Sequence, residues 1–141
     1  MNESMDPNWL GEDDIYRENI LDHFKEPRNF GEIENPSFAH TGLNPVCGDT
    51  IRLFVRLDKD KKIKEAKFKG RGCAISIASA SMLTEHINGK TIEEIKTMQK
   101  EELLELLGIK LGIVRIKCGL LSLNTLLKGI EVMEEENEIR N

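Results

Sequence analysis

Two alternating runs joined by a short link constrain this chain most. "TIRLFVRLD", residues 50–58, sets Ile51, Leu53, Val55 and Leu57 against Arg52, Phe54 and Arg56. That is the period of a half-buried strand, with the first set inward and the second outward. "KIKEAKFKG", residues 62–70, alternates again in a weaker register, Ile63, Glu65, Lys67 and Lys69 being separated by Lys64, Ala66 and Phe68. The link "KDKK" is too short for a crossover, so the two runs form an antiparallel hairpin.

Helical signals follow the hairpin. "AISIASASMLTEHINGK" is rich in small residues and ends at Gly89, a helix-terminating position. "TIEE", residues 91–94, fits a capping box, and "KEELLELLG" is closed by Gly108. A longer helix is expected over residues 114–133, with Leu120, Leu123, Leu127 and Ile130 at spacings of three and four. Ahead of the hairpin, residues 13–25 read as a helix with Ile15, Ile20, Leu21 and Phe24 as a partial stripe, stopped by Pro27. Residues 26–45 hold three prolines and two glycines and read as loop, with a short strand near residues 37–40. Strands first and helices after predict an α+β domain: a small antiparallel sheet with helices packed on one face. The expected organisation is a flexible segment over residues 1–12, one domain over residues 13–133, and a frayed acidic tail over residues 134–141.

The chain of 141 residues has room for one modest domain. A formal net charge of -5 argues against a nucleic-acid partner, which calls for a basic face. No apolar run reaches the roughly 18 residues that span a membrane. The start, "MNESMDPNWLGEDD", lacks the basic and apolar parts of a secretory signal, so a cytoplasmic location is expected.

Three widely spaced cysteines make a disulfide framework a poor reading. Cys73, in "GRGCAIS", follows Gly72 and precedes a helix, whose N-terminus favours thiolate. Cys118, in "VRIKCGLL", lies near a helix start, with Arg115 and Lys117 as cations that favour thiolate there too. Cys47, in "VCGDT", is separated from Asp49 by the flexible Gly48. Singly, each cysteine also reads as packing filler, and Asp49 as a turn former. Together they all fall at element ends, and three thiolates with one carboxylate make a four-ligand set for a soft or borderline metal.

"NPVCGD", "GRGCAISIASASMLTE" and "RIKCGLLSLNTLLKGI", in that order, with "LDHFKEPRNFG" ahead of them, closely resemble the iron–sulfur cluster assembly scaffolds of the IscU, SufU and NifU N-terminal family. The resemblance covers about residues 15–130. It implies a scaffold on which a [2Fe–2S] cluster is assembled with sulfur from a cysteine desulfurase and passed to apo iron–sulfur proteins. It implies Cys47, Asp49, Cys73 and Cys118 as ligands, with Gly48 and Gly72 supporting them. Cys118, on a mobile approach loop, would be the persulfide acceptor, and Tyr16 lies at the desulfurase-facing end. Lys117 stands where the IscU branch has histidine, as in the SufU branch, yet the 45-residue step from Cys73 to Cys118 is too short for the SufU insertion. The alternative is therefore a zinc-dependent sulfurtransferase in which the same residues hold Zn²⁺. The "LPPVK" segment that recruits an Hsp70-type chaperone is "LGIVR" here, which argues against that partner. A homodimer is left open.

Overall fold

The computed structural model describes the backbone from residue 12 to residue 140 and side chains from residue 16. The segment expected to be flexible therefore lies outside the described residues, except for residue 12. The elements are α1 (Glu12–Lys25), β1 (Phe38–Asn44), β2 (Asp49–Leu57), β3 (Ile63–Arg71), α2 (Ala74–His86), α3 (Ile92–Lys96), α4 (Lys100–Leu107) and α5 (Ile113–Arg140). The strands form an antiparallel sheet in the order β1-β2-β3. Helices α2 and α5 cover one face of it. Ile51, Leu53, Val55 and Phe68 meet Leu83, Leu123, Leu126 and Ile130 in the core between the layers.

The weak register of β3 has a local cause. A register shift between Arg56 and Leu57 pairs Leu57 with Ile63 and skips Lys64. This bulge puts Ile63 on the same inner face as Ala66 and Phe68, although its number is out of phase with theirs. Asp58 closes the turn by accepting the N–H groups of Asp60 and Lys62.

Four expectations change. The proline-rich stretch holds a full strand, β1, and its Gly42 is no breaker: a Cβ there would collide with Thr125 of α5. Phe54, expected outward in solvent, is buried on the outer face of the sheet with the Arg52 guanidinium 5.3 Å from its ring centre. Helix α5 runs past residue 133, its expected end, to Arg140, and Glu134 pairs with Lys96 at 3.1 Å. In α1, Leu21 and Phe24 are exposed, and Ile20 carries the packing with Ala78, Met82 and Leu107.

Helix α2 is buried through residues 76–84, because α1, α5 and the sheet all press on it. Its small side chains permit that approach, and its serines are bonded rather than stranded. Ser81 Oγ lies 2.7 Å from His23 Nδ1 of α1 and accepts the Arg28 N–H at 2.8 Å. Ser79 donates to the Gly119 carbonyl of α5. Thr91 and Glu94 form the expected capping box of α3, and Gly108 takes a left-handed φ of 74° after α4. No helix among the described residues is long and apolar enough to cross a membrane.

Candidate metal centre

The site lies at the end of the sheet where β1 turns into β2. Residues 45–48 form that turn, with Gly48 at φ 74°, a conformation that side chains disfavour. The turn exposes Cys47 at its surface. Asp49 then begins β2 opposite Asn44 and faces inward, only 1% exposed.

A buried carboxylate needs donors, and Asp49 has them from remote elements. The Cys73 N–H donates to Oδ1 at 3.1 Å, and Asn44 Nδ2 lies 3.5 Å from Oδ2. The close approach requires Gly72, where a Cβ would stand 2.9 Å from the Asp49 Cγ. Burial alone would raise the Asp49 pKa. Hydrogen bonds from Cys118, the Cys73 N–H, Ser76 and Asn44 outweigh it and hold the carboxyl below its ordinary value.

Cys73 is the N-cap residue of α2, and its sulfur lies 3.3 Å from Ser76 Oγ. Burial opposes its ionisation, yet the Ser76 hydroxyl and N–H, together with the Cys118 thiol, lower its pKa. Arg115 faces this sulfur, and attraction to the Cys73 thiolate raises the guanidinium pKa further.

Cys118 sits in the second turn of α5, not on a loop, and is fully buried. Its thiol is pushed up strongly, first by burial and then by hydrogen bonds to Asp49, Cys47 and Cys73. Burial therefore works against the thiolate that neighbouring cations favour, and Arg115 attracts the Cys73 sulfur most and the Cys118 sulfur less. Lys117 is exposed and makes no hydrogen bond or ion pair among the described residues. The mobile loop expected to carry Cys118 is the start of α5 instead, and Cys47 is the most exposed of the three sulfurs.

One ligand atom from each of Cys47, Asp49 and Cys118 falls within 4.8 Å of the others. Cys73 stands beside this group, joined to Asp49 through its backbone. Asn44 and Ser76 also belong to the site and were not singled out from the sequence. Ser76 had a signal, being three residues after the cysteine that precedes α2.

The sheet-and-helix layers carrying this thiol–carboxylate cluster define a small α+β domain with a candidate metal site. The chain belongs to the family described as the NifU-like N terminal domain, whose profile matches residues 15–139. It is 41% identical over 142 residues to the zinc-dependent sulfurtransferase SufU of Bacillus subtilis, covering 89% of this chain and 95% of that one. It is 39% identical over 116 residues to the iron-sulfur cluster assembly scaffold protein IscU 1 of Archaeoglobus fulgidus, covering 82% of this chain and 74% of that one. A crystal structure described as a putative iron-sulfur cluster assembly scaffold protein for the SUF system, from Fervidobacterium islandicum, superimposes with a TM-score of 0.70 at 33% identity, covering 85% of this chain and 99% of that one.

Proposed function

We propose that the chain is a scaffold on which a [2Fe–2S] cluster is built and from which it is handed to apo-proteins. The cluster is cargo rather than a resident cofactor, and the chain acts as a carrier rather than an enzyme. Cys47, Asp49, Cys73 and Cys118 are its ligands in this reading. The observation that carries it is the buried Asp49 carboxylate set among three thiols. Thiolates hold iron and sulfide well, whereas a carboxylate is a harder and weaker ligand for such a cluster. One replaceable bond suits a protein that must release what it holds.

The residues divide the work by position. Cys47 is the sulfur that an outside protein reaches without moving α5. Its thiolate attacks the outer sulfur of a desulfurase persulfide, an S–S bond forms to Cys47, and the desulfurase cysteine leaves as thiolate. Arg115 balances negative charge at Cys73. Gly72 keeps the space in which Asp49 accepts the Cys73 N–H. Tyr16, packed over Gly108, lies where the desulfurase-facing end is expected.

A zinc-dependent sulfurtransferase is the second reading, and one observation favours it. Three ligand atoms within 4.8 Å suit a single ion, since zinc–sulfur bonds of about 2.3 Å place tetrahedral sulfurs about 3.8 Å apart. Bound zinc would hold the thiols as thiolates and give one up to incoming sulfur. Anaerobic reconstitution with iron, cysteine and a cysteine desulfurase separates the readings. The scaffold reading expects bound iron and sulfide with visible charge-transfer absorption, followed by transfer to apo-ferredoxin. A protein that keeps zinc, gains persulfide and never binds iron would replace it with the second reading.

A further inference from the structure

The outer face of the sheet, away from the helices, carries an uneven distribution of charge. Strand pairing sets its residues in rows: Leu43, Thr50 and Arg71; then Thr41, Arg52 and Lys69; then Ala39, Phe54 and Lys67; then Arg56 and Glu65. The row farthest from the site is neutralised, with Arg56 Nη1 3.3 Å from Glu65 Oε1. The rows nearer the site are cationic. Arg52 stands directly opposite Lys69, an arrangement of like charges that costs stability in a sheet. Two carboxylates reach this band, Glu32 at 2.8 Å from Lys69 Nζ and Glu65 at 3.8 Å from Lys67 Nζ. Arg52 and Arg71 form no ion pair among the described residues. The Arg52 guanidinium is nonetheless held in place, donating to Thr41 Oγ1 at 2.8 Å and stacked on Phe54. Thr41, Thr50, Arg52, Lys69 and Arg71 line a shallow cavity of about 300 Å³.

The band leads to the site. Arg71 and Thr50 are chain neighbours of Gly72 and Asp49, and Leu43 continues the face into the turn that carries Cys47. Leu43 and Val46 are 66% and 65% exposed there. Exposed apolar side chains beside a held guanidinium give the composition of a protein interface, apolar at its middle and charged around it. A fixed basic band on a chain of net charge -5 is not explained by solubility, because it lowers the magnitude of that charge. Nothing in the fold calls for it either, since the Arg56–Glu65 row shows how the same ladder satisfies itself.

We propose that this face is a docking surface for an acidic protein that receives the cargo of the site, held by Arg52 and Arg71 with Leu43 and Val46 against its apolar centre. Charge complementarity selects the partner, and continuity with the Cys47 turn brings it to the site. The proposal of an acceptor rests on the carrier reading above, whereas the docking itself does not.

The test uses an acidic apo-ferredoxin bearing a fluorophore as the probe, with binding read by anisotropy on metal-free and zinc-loaded protein. No transfer is required, so a failed reconstitution and a failed docking are separate results. The unaltered protein is expected to bind, and to weaken about tenfold or more as salt rises from about 20 to about 200 mM. The double variant Arg52→Glu/Arg71→Glu is expected to lose about tenfold or more at low salt. Lys59→Glu/Lys64→Glu changes net charge equally at the other end of the hairpin, and is expected to change binding less than about threefold. Thermal unfolding of each variant identifies any that fails to fold; Arg52→Gln/Arg71→Gln then replaces the reversal, with a smaller loss expected in the same order. Equal losses in the two double variants, or no binding at low salt, would overturn the proposal.

Discussion

Strand β2 runs between two aspartates that do opposite work. Asp58, at its far end, is exposed and bonds only its own turn, accepting N–H groups two and four residues on. Asp49, at its near end, is buried and accepts the N–H of a residue 24 positions away. Asp58 is satisfied by sequence neighbours and could serve in any hairpin. Asp49 is satisfied only when β1, β2 and the start of α2 are already in place. A carboxylate that depends on remote elements is also one held against remote thiols, and this difference distinguishes a site from a turn.

The comparison can be broken from a distance. Helix α1 clamps α2, whose first residue follows Cys73, through Ile20, His23 and Ser81. Deleting residues 1–24 is therefore expected to abolish the cooperative thermal transition, rather than spare it as a pure partner-binding segment would allow. Ile20→Ala alone should cost about 2–4 kcal/mol in chemical denaturation. A deletion variant that melts normally would show that the near end needs no such support.

Gly72→Ala acts closer to the site. The added Cβ enters the space of the Asp49 carboxylate, and overpacking of this kind costs about 1–3 kcal/mol. Zinc affinity, measured by competition with a chromophoric chelator, should fall at the same time. Unchanged affinity with reduced stability would separate Asp49 from the metal centre.

Asp49→Ala and Asp58→Ala form the sharpest pair. Losing Asp49 strands the Cys73 N–H, at about 1–3 kcal/mol, and the scaffold reading expects slower cluster transfer to apo-ferredoxin while assembly continues. Asp58→Ala should lower the thermal midpoint by less and leave transfer untouched. Asp58 also has a pH signature. The Lys62 N–H, and to a lesser extent the Asp60 N–H, hold its carboxyl below the ordinary range against the opposing effect of desolvation. With the folded value depressed, its contribution is complete above about pH 4 and is lost as pH falls through the folded value. The stability difference between Asp58→Ala and the unaltered protein should therefore shrink in acid, which denaturant titrations across that range would measure.

What the sequence showed follows the same division. The hairpin, the Thr91–Glu94 capping box and the glycine stop at Gly108 were legible because each is decided within a few residues. Cys47, Asp49, Cys73 and Cys118 stood out through spacing and family resemblance. Asn44 was not assigned a role, because its importance arises from partners on other elements. Strand β1 was underestimated since its Gly42 looks like a breaker until Thr125 is seen above it. Phe54 was turned to solvent because alternation shows which side chains share a face and not what covers it. The setting of Cys118 is the most instructive. Neighbouring cations in sequence suggested an accessible thiolate, while burial in α5 makes it the least accessible of the three sulfurs.

The central claim is that Cys47, Asp49, Cys73 and Cys118 serve one centre, although Cys73 stands at its margin. X-ray absorption at the zinc edge, on protein loaded with zinc, counts the sulfurs directly. The expected spectrum has three sulfurs and one oxygen at tetrahedral distances, falling to two sulfurs in Cys73→Ser. A spectrum that Cys73→Ser leaves unchanged would contradict the claim.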